Sequence, residues 1–321
     1  MEKNPNDVKK LKGIEPFNEF FFISCYYHQL ITGVKYFGGR TDEIISRYFP
    51  AYEFREDEKI PRVRELKAEY GKELEKATGV HIVRKKTSKA VIYELRQAVR
   101  HGQPCLVAVD CFELSYREDT YQKKHALHFL LIYGYDIKAQ EFFVIDHLFT
   151  NSPRYVECKI TFSELERGFY ALNGQWLGFR LQKLKRIQGI PVAGSSFPEC
   201  CIVWKEEIKD SMTACHNILA YFKACMSERE GCCQHIDQFI EYFGYVRSKK
   251  LTQKYQLRYL GYDDISEKID RILNNYIFIY GIAMRIKTTG NYRSEDIEKL
   301  CQKCELVEKI EREVHQFYLG E

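Results

Sequence analysis

The chain has 321 residues, 45% apolar and 29% charged, which suffices for one large domain or two ordinary ones and is too apolar for extended disorder. A net charge of +4, dispersed over 49 basic and 45 acidic side chains, leaves no basic footprint and argues against a nucleic-acid partner. No window approaches the roughly 20 apolar residues of a membrane helix, and the polar start MEKNPNDVKKLKG lacks the apolar core of a signal peptide, so a cytoplasmic chain with mostly reduced cysteines is expected.

The first distinctive element is FFISCYYHQLITGVKYFGG (21–39): an apolar run, a cysteine, then an amphipathic helix closed by two glycines. TDEIISRYF (41–49) reads as a helix with Thr41 as its N-cap, and PRVRELKAEYGKELEKATG (61–79) as another ending on Gly79. VHIVRKK (80–86) is strand-like, and TSKAVIYELRQAVRHG (87–102) is helical, with Thr87 as cap and Gly102 past its end. PCLVAVD (104–110), HFLLIYGYD (128–136) and EFFVIDHLF (141–149) are short apolar runs between turn residues, the pattern of strands covered on both faces. TFSELERGFYALN (161–173) opens with a Thr161–Glu164 capping box, and GQWLGFRLQKL (174–184) closes this half as a strand.

GIPVAGSSFPE (189–199) is the longest Gly/Pro/Ser cluster and marks a linker between a domain over 1–188 and a second over 200–321. Beyond it, four segments place apolar residues at i, i+3, i+4 and i+7, which predicts an all-helical bundle or cap. Twelve cysteines are scattered along the chain; Cys301 and Cys304 form a CxxC inside a helical pattern with no second pair, so no metal site is expected. The pairs Cys200–Cys201 and Cys232–Cys233 read as small buried hydrophobes. Arg84–Lys86 and Ser248–Lys250 read as solvated basic faces, with the acidic surface of a carrier protein as the alternative.

Thiol catalysis needs a nucleophile of lowered pKa, a histidine to take its proton, and a polar group to hold that imidazole. Cys25 opens a helix, where unpaired N–H groups favour a thiolate; the competing reading is one more buried sulfur. His128 opens an apolar strand that turns at YDIKAQ, and the chain returns to end on Asp146. A hairpin of that length brings imidazole and carboxylate together at its open end. His125 is the alternative base.

The order Cys, His, Asp, with the last two on neighbouring strands, is the papain-like arrangement. The flanks, ELRQAVRHGQPCLVAVDCFELSYRED and KKHALHFLLIYGYDIKAQEFFVIDH, resemble the N-terminal domain of butirosin biosynthesis protein H over roughly residues 15–185. More distantly, the pattern is similar to the peptidase domains of bacteriocin-exporting ABC transporters. The resemblance implies an α+β papain-like fold with an antiparallel sheet. It implies Cys25 as nucleophile, His128 as base and Asp146 as orienting acid, with no cofactor. The implied chemistry is acyl transfer, from a thioester on an acyl carrier protein or another donor to a small-molecule or peptide amine, in specialised metabolism such as antibiotic biosynthesis.

Two positions depart from the pattern. Papain-like enzymes carry a Gln oxyanion donor about six residues before the cysteine, where this chain has Glu19, whose charge would repel a developing oxyanion; Asn18 is the nearest substitute. Many relatives follow the acid with Pro, whereas His147 follows Asp146 here. Asp110, Tyr26 and Tyr116 are candidates to line the substrate cleft. A cysteine peptidase or amidase on the same triad and a non-catalytic binding protein on the same scaffold are the competing functions.

Overall fold

A computed structural model describes residues 8–67, 69–150, 152, 154–188 and 199–321. The chain divides into two compact units, residues 1–44 with 70–194 and residues 45–69 with 195–321. This partition differs from a single cut near residue 189, because the segment 45–69 groups with the C-terminal half. The expected linker, 189–199, lies outside the described residues except for its last position.

In chain order the elements are β1 (Val8–Lys10), α1 (Cys25–Tyr36), α2 (Asp42–Ile45), β2 (Tyr48–Arg55), β3 (Ile60–Lys67), α3 (Lys72–Thr78), β4 (Val80–Lys85) and α4 (Val91–Arg100). They continue with β5 (Cys105–Asp110), β6 (Leu127–Asp136), β7 (Glu141–Asp146), β8 (Val156–Thr161), α5 (Phe162–Ala171) and β9 (Leu181–Arg186). Four long helices follow: α6 (Lys205–Ser227), α7 (Arg229–Tyr259), α8 (Asp263–Thr289) and α9 (Ser294–Leu319).

The first unit is built on an antiparallel sheet in the order β4-β9-β5-β6-β7-β8, with β1 paired to the far end of β6. Every residue of β5 is buried, as its unbroken apolar run predicts for a central strand. Helix α1 packs close to the sheet through Gly33, where any Cβ would overlap the Leu184 side chain on β9. The β6–β7 hairpin turns at residues 137–140, where the expected YDIKAQ turn lies, and a bulge between Ile132 and Gly134 shifts its register. The Thr161–Glu164 capping box forms as read: Thr161 Oγ1 accepts the Glu164 N–H, and the Glu164 carboxylate accepts the Thr161 N–H.

Several sequence expectations about the elements change. Residues 61–67 form a strand, not the start of a helix. Pro61, Val63 and Leu66 turn inward while Arg62, Arg64 and Lys67 face water, and Arg64 pairs across the hairpin with Glu53. Charges at 62, 64, 65 and 67 satisfy helical and alternating spacing alike, and pairing with β2 decides between them. Among the described residues of that segment only Lys72–Thr78 are helical, and α2 is a single turn. Thr87 does not cap α4, which starts after Ala90; Ser88 bonds the Ala90 N–H and the Glu94 carboxylate instead.

In the second unit, Phe49, Tyr52, Val63 and Leu66 of the β2–β3 hairpin join the core of the four helices, among Phe222, Phe243 and Tyr276. Inside it, Lys250 Nζ donates to Glu311 at 2.6 Å and to Gln253 at 3.0 Å, and the Tyr52 hydroxyl donates to the other Glu311 oxygen at 2.5 Å. Lys250 is therefore a buried ion-pair partner rather than part of a solvated basic face. Lys249 pairs with Glu65, and Lys85 with Glu94. Cys201, Cys232 and Cys304 are buried, Cys301 is half-buried on α9, and Cys233 is exposed rather than buried. No helix among the described residues is long and apolar enough to cross a membrane.

Candidate active site

Cys25 is the first residue of α1, with the extended Ser24 before it and no acidic side chain in the first helical turn. His128 and the Phe129 backbone act on its thiol and lower its pKa. His128 lies near the start of β6, and its Nε2 is 2.6 Å from Asp146 Oδ1 at the end of β7. With Nε2 committed to the carboxylate, Nδ1 is the ring nitrogen left for the sulfur. The two strands do not set His128 and Asp146 directly opposite one another. Leu131 opposes Ile145, so one step on Asp146 faces Leu130, and His128 is the diagonal neighbour on the same face.

The charges of these three groups support one another. Burial pushes the Cys25 thiol up, but the His128 charge and the bonds from His128 and Phe129 outweigh it and hold the thiol below its usual value. Burial also works against the His128 imidazolium, yet Asp146 and Cys25 on either side raise its pKa well above the ordinary histidine range. Asp146, fully buried, is held low chiefly by His128 against the cost of its own burial. The arrangement favours a thiolate–imidazolium pair braced by a carboxylate, at the positive end of a helix.

The remaining candidates fall in different places. Tyr116 donates its hydroxyl to Asp146 Oδ2 at 2.6 Å, so it braces the acid rather than lining a substrate pocket. Tyr26 packs edge-on against Phe129 and donates to Gln182 Oε1 at 3.2 Å. Asn18 is held against the Tyr155 backbone, its Nδ2 donating to the carbonyl at 2.9 Å and its Oδ1 accepting the N–H at 2.8 Å. Glu19 turns away from the sulfur: its carboxylate takes the Asn18 N–H and pairs with Lys35 in the last turn of α1. The feared repulsion of an oxyanion is thus removed by geometry. Asp110 is occupied by the N–H groups of Phe112 and Ala126 and by His125 Nδ1 at 2.7 Å, and so ties down the loop between β5 and β6. His125 is stacked on Phe112 and takes no part in the Cys25 contact; with Asp110, Leu127 and Trp176 it lines a cavity of about 140 Å³.

Four further residues stand near the site, and three of them carry no signal that single-sequence reading would catch. Gln29, one turn after Cys25, donates to the Ile145 carbonyl at 2.7 Å and so ties α1 to the residue preceding Asp146. Cys111 is buried within the field of His128, Arg117 and Asp146, and burial raises its thiol. Arg117, almost wholly buried, reaches His147 Nε2 at 3.4 Å and Thr150 at 3.2 Å. His147 stands with its ring 4.9 Å from that of His128, and burial followed by the His128 charge pushes its pKa down to about 4. It is the one neighbour the sequence had marked, by standing where a proline was expected.

His128, Asp146 and His147 bring ligand atoms within 4.8 Å of one another, a set that by distance alone would hold a cation. The chemistry of the set fits one poorly, because Asp146 already serves His128 and Tyr116 and the Arg117 guanidinium sits on His147 Nε2. A comparison with curated proteins finds no match. Residues 41–147, a stretch that contains His128 and Asp146 but not Cys25, match the family model described as butirosin biosynthesis protein H, N-terminal.

Proposed function

We propose that the protein is a cysteine-dependent acyltransferase on a papain-like catalytic domain, acting in the biosynthesis of a specialised metabolite, as the family's name suggests. The observation that carries the reading is a Cys25 thiol lowered against its burial by His128, whose Nε2 is held by Asp146 at 2.6 Å. The Cys25 thiolate attacks the carbonyl carbon of a thioester, and the tetrahedral oxyanion is met by backbone N–H groups at the start of α1. The His128 imidazolium gives its proton to the departing thiol, leaving an acyl–Cys25 thioester. Neutral His128 then takes a proton from the incoming amine as its nitrogen attacks the acyl carbon, and that proton goes back to the Cys25 sulfur as it leaves. Asp146, itself bonded by Tyr116, keeps the imidazole oriented through both halves.

An acyl carrier protein is the proposed donor. Exposed apolar side chains support an apolar acyl group: Leu127 directly precedes His128, and Leu148 and Phe149 directly follow the Asp146–His147 pair. The same acyl-enzyme would serve a hydrolase if water resolved it. Incubation with a short-chain acyl thioester of N-acetylcysteamine, read by intact mass and peptide fragmentation, is expected to show one acyl group on Cys25 and none on a Cys25→Ala variant. An adduct that persists in buffer but is discharged by added amines supports the transferase; rapid discharge in buffer alone makes it a hydrolase. No adduct on Cys25 removes both in favour of a binding protein.

A further inference from the structure

The turn that delivers Cys25 is strained, and one side chain holds it. Ile23, a buried β-branched residue, has φ +56°, a left-handed conformation that such residues strongly disfavour. The Ser24 N–H closes a tight three-residue turn on the Phe22 carbonyl at 2.7 Å. The Phe22 N–H, on the other side of Ile23, donates to His28 Nε2 at 2.7 Å, and His28 Nδ1 faces the Phe17 carbonyl at 3.4 Å. His28 is buried one turn into α1 and stacked on Tyr155, ring centroids 4.5 Å apart.

We infer that His28 is a positioning residue that fixes the strained Phe22–Ser24 turn and thereby sets the direction in which Cys25 leaves it toward His128. The inference rests on Cys25 being the nucleophile. The bond requires His28 to accept at Nε2 and therefore to be neutral, and burial, the largest influence, pushes its pKa down to about 4. His147 is the titratable neighbour that acts on it, while Cys25 itself faces His128, Phe129 and Asp146, with Cys111 and Tyr155 in range. Phe22 and Cys25 bracket a segment too short to reorient without changing the helix start, so loss of the acceptor is felt at the sulfur.

The test is the pH dependence of Cys25 alkylation by iodoacetamide, located by peptide mass, alongside the melting temperature. His28→Leu removes the acceptor and is expected to slow Cys25 alkylation at pH 7 about tenfold and to move its midpoint toward that of an ordinary thiol, near pH 8.5. His28→Gln, whose Oε1 can reach the Phe22 N–H, is expected to stay within about twofold of the wild type. Because glycine adopts the left-handed conformation freely, the Leu penalty should shrink in an Ile23→Gly background. Should His28→Leu not fold, His28→Asn, whose acceptor falls short of Phe22, takes its place with the same expectation. A folded Leu or Asn variant that merely melts earlier, with unchanged alkylation rate and midpoint, overturns the inference and leaves the nucleophile standing. A wild-type Cys25 with no selective reactivity overturns both.

Discussion

Replacing His128 with alanine is expected to slow acylation of Cys25 at pH 7 by about 10²–10⁴-fold, the usual contribution of a positioned acid–base group. His128 acts twice in the proposed mechanism: it stabilises the thiolate by its charge and supplies the proton for the leaving thiol. The pH dependence separates the two roles. In the wild type the thiolate fraction rises through the lowered Cys25 pKa, and proton donation fails only once His128 loses its proton at a pKa well above 6.5, so the rate is high across the interval between. Without His128 the thiol loses its principal stabilising charge, and its midpoint should return toward about 8.5 or higher, since burial is then opposed by the Phe129 backbone alone. The variant's rate is thus expected to climb through pH 8–9, where the wild type has levelled off. Initial acylation rates by intact mass across that range measure the effect; a variant that keeps the wild-type profile would remove His128 from the mechanism.

Truncating one member of the Lys250–Glu311 pair is expected to cost about 3–5 kcal/mol in the second unit, because each substitution strands a charge where water does not reach. Lys250 and Glu311 are both essentially unexposed, and Glu311 is the common acceptor for Lys250 and Tyr52, whose hydroxyl also lies 3.1 Å from that of Tyr276. Lys250→Met and Glu311→Leu are therefore each expected to lower the denaturant midpoint of this unit strongly. The double variant should lose much less than the sum, since apolar replacements of a whole buried pair are often nearly neutral. Additive losses in a double-mutant cycle would mean that the two charges are satisfied independently.

The parts of this site that were legible in the sequence are those fixed by local pattern. His128 and Asp146 sit at the open end of one hairpin, whose apolar runs and turn residues determine both strands. Cys25 stands where an apolar run gives way to a glycine-terminated helix. The diagonal offset of His128 and Asp146 was not legible, because register depends on the bulge near Gly134, which has no side chain to announce it. Asn18 and Glu19 were placed by spacing from the cysteine, yet their partners, Tyr155 and Lys35, are set by how the segment before α1 packs. Tyr116 and Arg117 reach the site from the loop between β5 and β6, and loop paths leave little periodic trace. Strand β3 was read as helix for the opposite reason: its charges carry a trace that two structures share, and only burial against the four helices tells them apart.

Competitive alkylation of the chain's own cysteines tests the central claim most directly. Cys233 is the exposed thiol among those described, and Cys25 is only partly accessible, so accessibility alone favours Cys233. With limiting iodoacetamide at pH 6.5 and peptide mapping by mass, a Cys25 thiolate paired with His128 predicts that Cys25 is labelled ahead of Cys233 and that His128→Ala abolishes this lead. Labelling of Cys233 first, with Cys25 untouched or indifferent to His128, would contradict the account.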